Sequence, residues 1–480
     1  MRAVVECQSM RIGRQPIMTL HSTVRWIYCL VTLALYLLCL QPPLNAAGLI
    51  SGLVDCRPSY EPQGPLLEVG QSSLADSTLM ETDVPTLALE FGHEYLLRNR
   101  RDGLVVADIE DWSSRQSLFM PLTSRAQRTV LAVSSTSGAG DLYYDDPEIG
   151  SMLSWKSGST GWAVSHSLGK LRLGLSANTS AGKLEGTSLY PQTIFEVLQG
   201  TADTGISIDT DDVTMQAVYR LHPDTKLQLT AGSAGSDYRL RFASAATDIT
   251  IPMGTDAAHY GIAAERKLSG RSALSIGFKR SSGDGSDYIR LNGLDMGRLT
   301  SRTSYSEFDC AIGYRRSTRT NLHMGYVTSS RRLGLHGNNV RCKDLGIGLE
   351  PLNDKVDFDA EVRLSDRFYH IGMSRQLSER WSVDACYQRI WLVTGIEGDY
   401  VGRGFFGLVS SPGSFSYNPG KIRAHGLGLS LAYRQQPLTV ILGLQQLVPE
   451  RSVKISSGTD DVSKSSTGGT NLSLTCNYAF

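Results

Sequence analysis

The chain has 480 residues, and its 47 basic side chains balance 47 acidic ones, so nothing in its overall charge points to nucleic acid or to an acidic membrane face, and no nucleic-acid partner is expected. Glycine is frequent at 48 residues, charged residues make up only 20%, and the 41% hydrophobic content is spread along the chain. That profile suits many strands and turns.

The one strongly apolar run, Ile27 to Leu40, is too short for a spanning helix and is closed by Pro42 and Pro43. Arg25 stands just ahead of it, and Asn45-Ala46-Ala47 offers small residues just after. The run therefore reads as the core of a signal peptide over 1–47, cut after Ala46 or Ala47, with a membrane anchor as the competing reading. The stretch before Arg25 is long for such a leader, which points to Met10 or Met18 as the start. Three of the eight cysteines (Cys7, Cys29, Cys39) fall in this leader, which leaves Cys56, Cys310, Cys342, Cys386 and Cys476. These are widely spaced, with no CxxC pair or metal-ligand cluster, so they argue against a zinc site and a dense disulfide framework and read as small apolar fillers.

Residues 48–124 are punctuated by Pro58, Pro62 and Pro65, and their apolar groups, Thr86 to Phe91 and Leu104 to Ile109, are short. No hairpin series is visible there. The segment is expected to be an irregular periplasmic leader or a plug entering the domain that follows.

From about Gly161 the dominant signal has a period of two. Val213, Met215, Ala217, Tyr219 and Leu221 alternate with Thr214, Gln216, Val218 and Arg220. The pattern returns at Tyr260-Ile262-Ala264, Leu274-Ile276-Phe278, Phe308-Cys310-Ile312-Tyr314, Leu322-Met324-Tyr326, Tyr369-Ile371-Met373, Trp381-Val383-Ala385-Tyr387, Leu427-Leu429-Leu431-Tyr433 and Leu438-Val440-Leu442-Leu444. Such alternation makes strands with one apolar face. Tight links stand at Gly169, His222 to Thr225, Ser269-Gly270, Ser317 to Thr320, Ser378 to Arg380 and Gln435 to Pro437. Between them lie stretches rich in Gly, Ser, Asp and Thr, such as Asn178 to Asp211, Ser281 to Thr303, Leu392 to Ile422 and Val448 to Gly469, which read as long loops. Alternation of short and long links is the asymmetry of a transmembrane β-barrel, with short turns on the periplasmic side and long loops outside. Tyr219-Arg220, Tyr314-Arg315 and Tyr433-Arg434 each precede a tight turn, so the tyrosines are expected in an interfacial girdle and the arginines in the lumen.

Asn471 to Phe480 closes the chain with Leu472, Leu474, Cys476, Tyr478 and the terminal Phe480 alternating. This resembles the closing strand of bacterial outer-membrane β-barrels, and the resemblance implies that these residues form the signal read by the barrel-assembly machinery. Six hairpins, the closing strand and Arg128 to Ser134 give about 14 strands, within a range of 12 to 16, over 125–480. The expected fold is thus all-β, an antiparallel transmembrane barrel behind an irregular N-terminal segment, placed in the outer membrane among lipid and lipopolysaccharide. A length near 430 after the leader, about 14 strands and an extra N-terminal segment also resemble, in architecture alone, the long-chain fatty-acid transporter family. That resemblance implies a facilitated path for hydrophobic solutes and supplies no binding residue.

Parity places Arg220, Glu265, Asp309, Arg315, His370, Asp384 and Arg434 inward, as a lumen lining that either tunes passage or pairs internally. The acidic pairs Asp145-Asp146, Asp211-Asp212 and Asp460-Asp461 and the Ser282 to Asp287 run read as solvated loops. No nucleophile-and-base arrangement or phosphate-binding glycine motif accompanies them, so neither catalysis nor a cofactor or resident metal is expected. The functional expectation is a porin-like or facilitated transporter of small or hydrophobic solutes. An autotransporter-like translocator and a structural or adhesive surface barrel are the alternatives.

Overall fold

The computed structural model describes residues 84–100, 106–122, 128–145, 151–190, 200–244, 247–341, 353–404, 409–449, 453–454 and 464–480. The first strands are β1 (Thr86–Arg100), β2 (Val106–Pro121), β3 (Thr129–Asp145), β4 (Ser151–Leu168), β5 (Leu171–Tyr190), β6 (Gly200–His222), β7 (Thr225–Ala243) and β8 (Asp248–Ser269). They continue as β9 (Ser272–Leu291), β10 (Leu294–Ser317), β11 (Thr320–Val340), β12 (Asn353–Gln376), β13 (Trp381–Gly404), β14 (Val409–Gln435), β15 (Leu438–Pro449), the two-residue β16 (Val453–Lys454) and β17 (Lys464–Ala479).

Each strand pairs antiparallel with its chain neighbours, β16 continues the line of β15 along β17, and β17 pairs with β1, so sixteen staves close into a barrel. At the seam Thr86 faces Ala479, and the Phe480 amide donates to the Pro85 carbonyl at 2.9 Å. Both ends of the described barrel therefore lie at one rim, called proximal here. All six tight turns named above lie at that rim.

Two expectations are corrected. The boundary at 124 moves, because Thr86–Arg100 and Val106–Pro121 are barrel strands, one of them the seam; residues 48–83 lie outside the described residues. The stretches taken as long loops are largely ladder. Ser281 to Thr303 is paired except at Met296, where the register shifts, and at Asn292-Gly293, both with positive φ (48° and 81°), the two-residue turn that matches the twist of a hairpin. Most of Asn178 to Asp211 and Leu392 to Ile422 is ladder too. Polar sequence is no obstacle to a strand whose backbone groups are all paired.

Near the proximal rim the apolar face points outward. Met215, Ile262, Met324, Ile371 and Leu429 are each about half exposed or more, while inward residues of the same strands or the strands beside them, such as Thr214, Gln216, Ser275, Ser374 and Ser430, are buried. Apolar outside and polar inside is the order of a barrel set in lipid, the reverse of a soluble sandwich. Aromatic rings edge this band. Tyr219, Tyr314, Trp381, Tyr433, Tyr478 and Phe480 stand at its proximal edge, with Trp381 on Tyr433 at 4.9 Å and Tyr478 on Phe480 at 5.1 Å. Toward the far, distal rim, Tyr326, Tyr369 and Trp391 stack across three strands at 4.6 and 5.1 Å.

Beyond that edge the faces exchange. On β12, Tyr369, Ile371 and Met373 point out, whereas Val356, Phe358, Ala360, Val362 and Leu364 point in. The β12–β13 register is unbroken from Lys355 to Gln376, so the change lies in the sequence and not in a bulge. The same exchange occurs on β6, from Val213 and Met215 to Ile206 and Ile208, and on β7, from Leu229 to Tyr238 and Leu240. It recurs on β8, from Ile262 to Met253 and Ile249, and on β9, from Ile276 and Phe278 to Ile289.

Candidate functional site: a two-part lumen

The lumen wall has a polar proximal part and an apolar distal part. The distal part is one continuous cluster that includes Leu184, Ile206, Leu240, Ile249, Met296, Leu335 and Val362, with Trp155, Phe242, Phe358 and Tyr400 packed against it. Its outer surface is charged and ion-paired: Arg241 with Asp248 at 2.8 Å, Arg302 with Asp284 at 3.0 Å, Arg403 with Asp357 at 2.5 Å, and Arg363 with Glu397 at 2.6 Å. This half is therefore constructed like a water-soluble barrel. Its guanidinium and carboxylate groups act on one another: Asp248 raises the Arg241 pKa, and the hydrogen bond from Arg363 lowers that of Glu361.

The proximal part carries the charges. Of the seven residues singled out by parity, Glu265 meets Lys226 at 3.7 Å, and Asp309 is buried beside Gly277, where an added Cβ would stand 2.2 Å from its Oδ1. Asp384 is 5% exposed, with Ser430 Oγ donating to its Oδ2 at 3.4 Å, and Arg434 Nη1 donates to Ser382 Oγ at 2.9 Å. His370 lies over Gly325, and His323 lies over Gly372, their ring centroids 5.8 Å apart. These two glycines are positions where any side chain would displace a ring. Arg220 and Arg315 stand near the proximal turns, and no ion pair reaches either among the described residues. Both of these interior carboxylates pair with lysine, Glu265 with Lys226 and Glu307 with Lys279 at 3.3 Å. Further along the wall, Thr214 Oγ1 and His259 Nε2 are 3.0 Å apart, with Asp212 3.8 Å from the same nitrogen.

The apolar distal lining was not anticipated from the sequence, because its residues fall largely in stretches taken as loops. The usable signal is the counter-phase alternation itself, as in Val356-Asp357-Phe358-Asp359-Ala360-Glu361-Val362-Arg363-Leu364. Among the described residues no group of three or more His, Cys, Asp or Glu side chains is arranged to hold a metal. One cysteine departs from the filler reading: Cys386 is disulfide-bonded, whereas Cys310 and Cys476 are free.

No family model matches the chain, and no curated protein matches it. Among solved structures it is similar to a Pseudomonas aeruginosa FadL homologue at 10% identity, covering 85% of this chain and 93% of that one, with a TM-score of 0.46. It is also similar to the Pseudomonas putida toluene transporter TodX at 9% identity, covering 84% and 91%, with a TM-score of 0.43. The CymD monoaromatic hydrocarbon channel gives 11% identity, 84% and 90% coverage, and a TM-score of 0.41.

Proposed function

We propose that the chain is an outer-membrane barrel that admits hydrophobic solutes through the apolar distal part of its lumen and passes them toward the polar proximal part. The observation that carries this reading is the inward-facing apolar cluster inside a wall whose outer face is charged. A lumen meant only for ions and sugars has no use for such a lining, whereas a solute rich in CH₂ groups gains about 0.8 kcal/mol for each one it buries. The apolar outer band argues for lipid around the proximal half, with the proximal rim toward the periplasm and the distal half projecting outward among lipopolysaccharide. Phe480, whose amide completes the seam, fits a role in recognition by the assembly machinery, and its deletion should lower the heat-modifiable folded species in outer-membrane fractions.

The test is a series of fluorescent alkyl probes of increasing chain length, titrated onto the purified folded protein, with ion conductance recorded in parallel. Affinity is expected to rise steeply with chain length, conductance to stay small, and Leu364→Asn to weaken the longest probes most. Large conductance with no dependence on chain length would favour a porin-like water path instead. The near-complete burial of Leu240 and Val362 favours a second reading, a structural surface barrel whose distal interior is simply packed; it predicts neither binding nor conductance.

A further inference from the structure

Trp391 stands on the outward face of β13 at the distal edge of the apolar band, where its ring meets that of Tyr369. Its two register partners are both arginines, Arg367 on β12 and Arg423 on β14. Each is exposed, and with strands about 4.8 Å apart their Cα atoms lie roughly 10 Å from one another, with the indole between them. A third arginine joins them from the proximal side. Arg389, two residues earlier on β13, carries its guanidinium distally onto the Trp391 ring, 4.7 Å from the centroid. A long cationic side chain whose stem lies along an apolar wall and whose head reaches for the interface behaves in this way.

Beside and beyond this row the outer wall of β11 to β13 is neutral, at Thr328, Ser330, Ser365 and Val393. The first outward carboxylates on those strands, Glu361 and Glu397, are both held by Arg363 at 2.6 Å. Among the described residues no ion pair or hydrogen bond reaches the Arg367 side chain. The cations form a patch and not a collar. On β6, seven strands from β13 and so nearly opposite it, the residues just past the band are Asp211 and Asp209, and Asp237 faces Asp209 from β7; all three are exposed.

We propose that this patch binds a phosphorylated glycolipid of the outer leaflet, the glucosamine phosphates of lipopolysaccharide, with Arg367 and Arg423 gripping phosphate from either side of Trp391. Guanidinium groups meet phosphate oxygens in pairs, and arginines at the edge of a hydrocarbon band present them at the depth where lipid headgroups begin. The stacked rings of Tyr326, Tyr369 and Trp391 offer a flat apolar floor for the first CH₂ groups of the acyl chains, so both ends of an amphiphile are met. A free anion has no use for that floor. The inference rests on the outward placement of the distal half proposed above and is independent of which solute crosses the lumen.

Native mass spectrometry of the folded, full-length protein in neutral detergent tests it, with diphosphorylated lipid A as the probe. Wild type should retain lipid A about tenfold more tightly than dephosphorylated lipid A or phosphatidylglycerol, and a large excess of inorganic phosphate should not displace it. Arg367→Gln combined with Arg423→Gln should abolish the preference, whereas Arg241→Gln, at an ion-paired arginine elsewhere on the outer wall, should keep it. Equal retention of phosphorylated and dephosphorylated lipid by the wild type overturns the site, and that result needs no variant. Equal retention of phosphatidylglycerol overturns it too, by leaving a general attraction for anionic lipid, and displacement by inorganic phosphate would assign the arginines to a free anion. Orientation is read apart from the lipid: Asn292→Cys, at the β9–β10 turn on the distal rim, should react with a membrane-impermeant maleimide on intact cells. If that thiol reacts while lipid selectivity is absent, the patch alone fails; if it reacts only after the outer membrane is broken, the outward placement fails and the proposal with it.

Discussion

The proximal and distal halves of the barrel share the same strands and largely the same registers, yet they place their apolar side chains on opposite faces. On β7, Leu229 faces outward in one half and Leu240 inward in the other, eleven residues apart on a continuous ladder. What differs is the solvent outside the wall. Where the exterior is hydrocarbon the apolar face turns out, and where it is water the apolar face turns in, so the point of exchange marks where lipid ends. Backbone pairing is indifferent to this choice, because an antiparallel ladder satisfies its own polar groups on either side.

The largest expected effect separates the two faces of the distal half. Leu240→Asp places an unpaired carboxylate in a site with no exposure and should cost on the order of 4 kcal/mol, read as a lowered urea midpoint of the protein folded in detergent. Arg239→Asp, one residue away on the outer face, should shift the midpoint by no more than about 0.5 kcal/mol. Equal tolerance of both would mean that the distal interior is wet, and the comparison would fail. The proximal half should show the opposite polarity: Ile262→Arg, outward in the band, should cost about 2–4 kcal/mol in a bilayer, whereas Arg302→Ile, outward beyond the band, should be nearly neutral. If Arg302→Ile is as harmful as Ile262→Arg, the edge of the lipid is misplaced.

The membrane-level strands were legible in the sequence because their alternation is strong and their turns short: all six tight links and the closing strand stand where the pattern puts them. The distal strands were not, since Gly, Ser, Asp and Thr describe a paired, water-facing ladder as well as a loop, as Ser281 to Thr303 demonstrates. The first two strands were hidden for another reason. Along the outward face of β2, Trp112, Leu118 and Met120 are interrupted by Ser114 and Gln116, which flattens the period-two signal. Of the lumen, parity gave the positions of the charged residues but not their partners, because which lysine lies beside Glu265 is a matter of register between strands.

A third expectation concerns how the distal half is finished. Gly293, at φ 81°, turns β9 into β10, and a β-branched residue there would be forced into the left-handed region at a cost of roughly 1–2 kcal/mol. Gly293→Val should therefore speed amide exchange in Ile289 to Met296 while leaving the band residues of β9 and β10, such as Phe278 and Phe308, protected. Exchange that rises equally in both would mean that the two halves unfold as one unit and are not separable in stability.

The smallest effect expected is electrostatic and belongs to the outer face of the distal half. Arg363 donates to both Glu361 oxygens, at 2.6 and 3.2 Å, and this hydrogen bond, followed by the attraction of Arg363 and Arg332, holds the Glu361 pKa below that of a free glutamate. Because the folded form binds the proton less readily than the unfolded chain, the contribution is fully present above the ordinary glutamate range and is lost as pH falls through the lowered value. Both side chains are more than a third exposed or close to it, so solvent and salt screen the pair and the gain is small. Glu361→Gln should accordingly lower the thermal midpoint slightly at pH 7, and the gap between variant and wild type should narrow toward pH 3 and in about 0.5 M salt, where the screening length is only a few ångströms. A gap that persists at pH 3 would assign the role of Glu361 to packing of its side chain against β11 and β13, and the water-facing ion pairs would then be ornaments of the distal half with no part in setting its outward face.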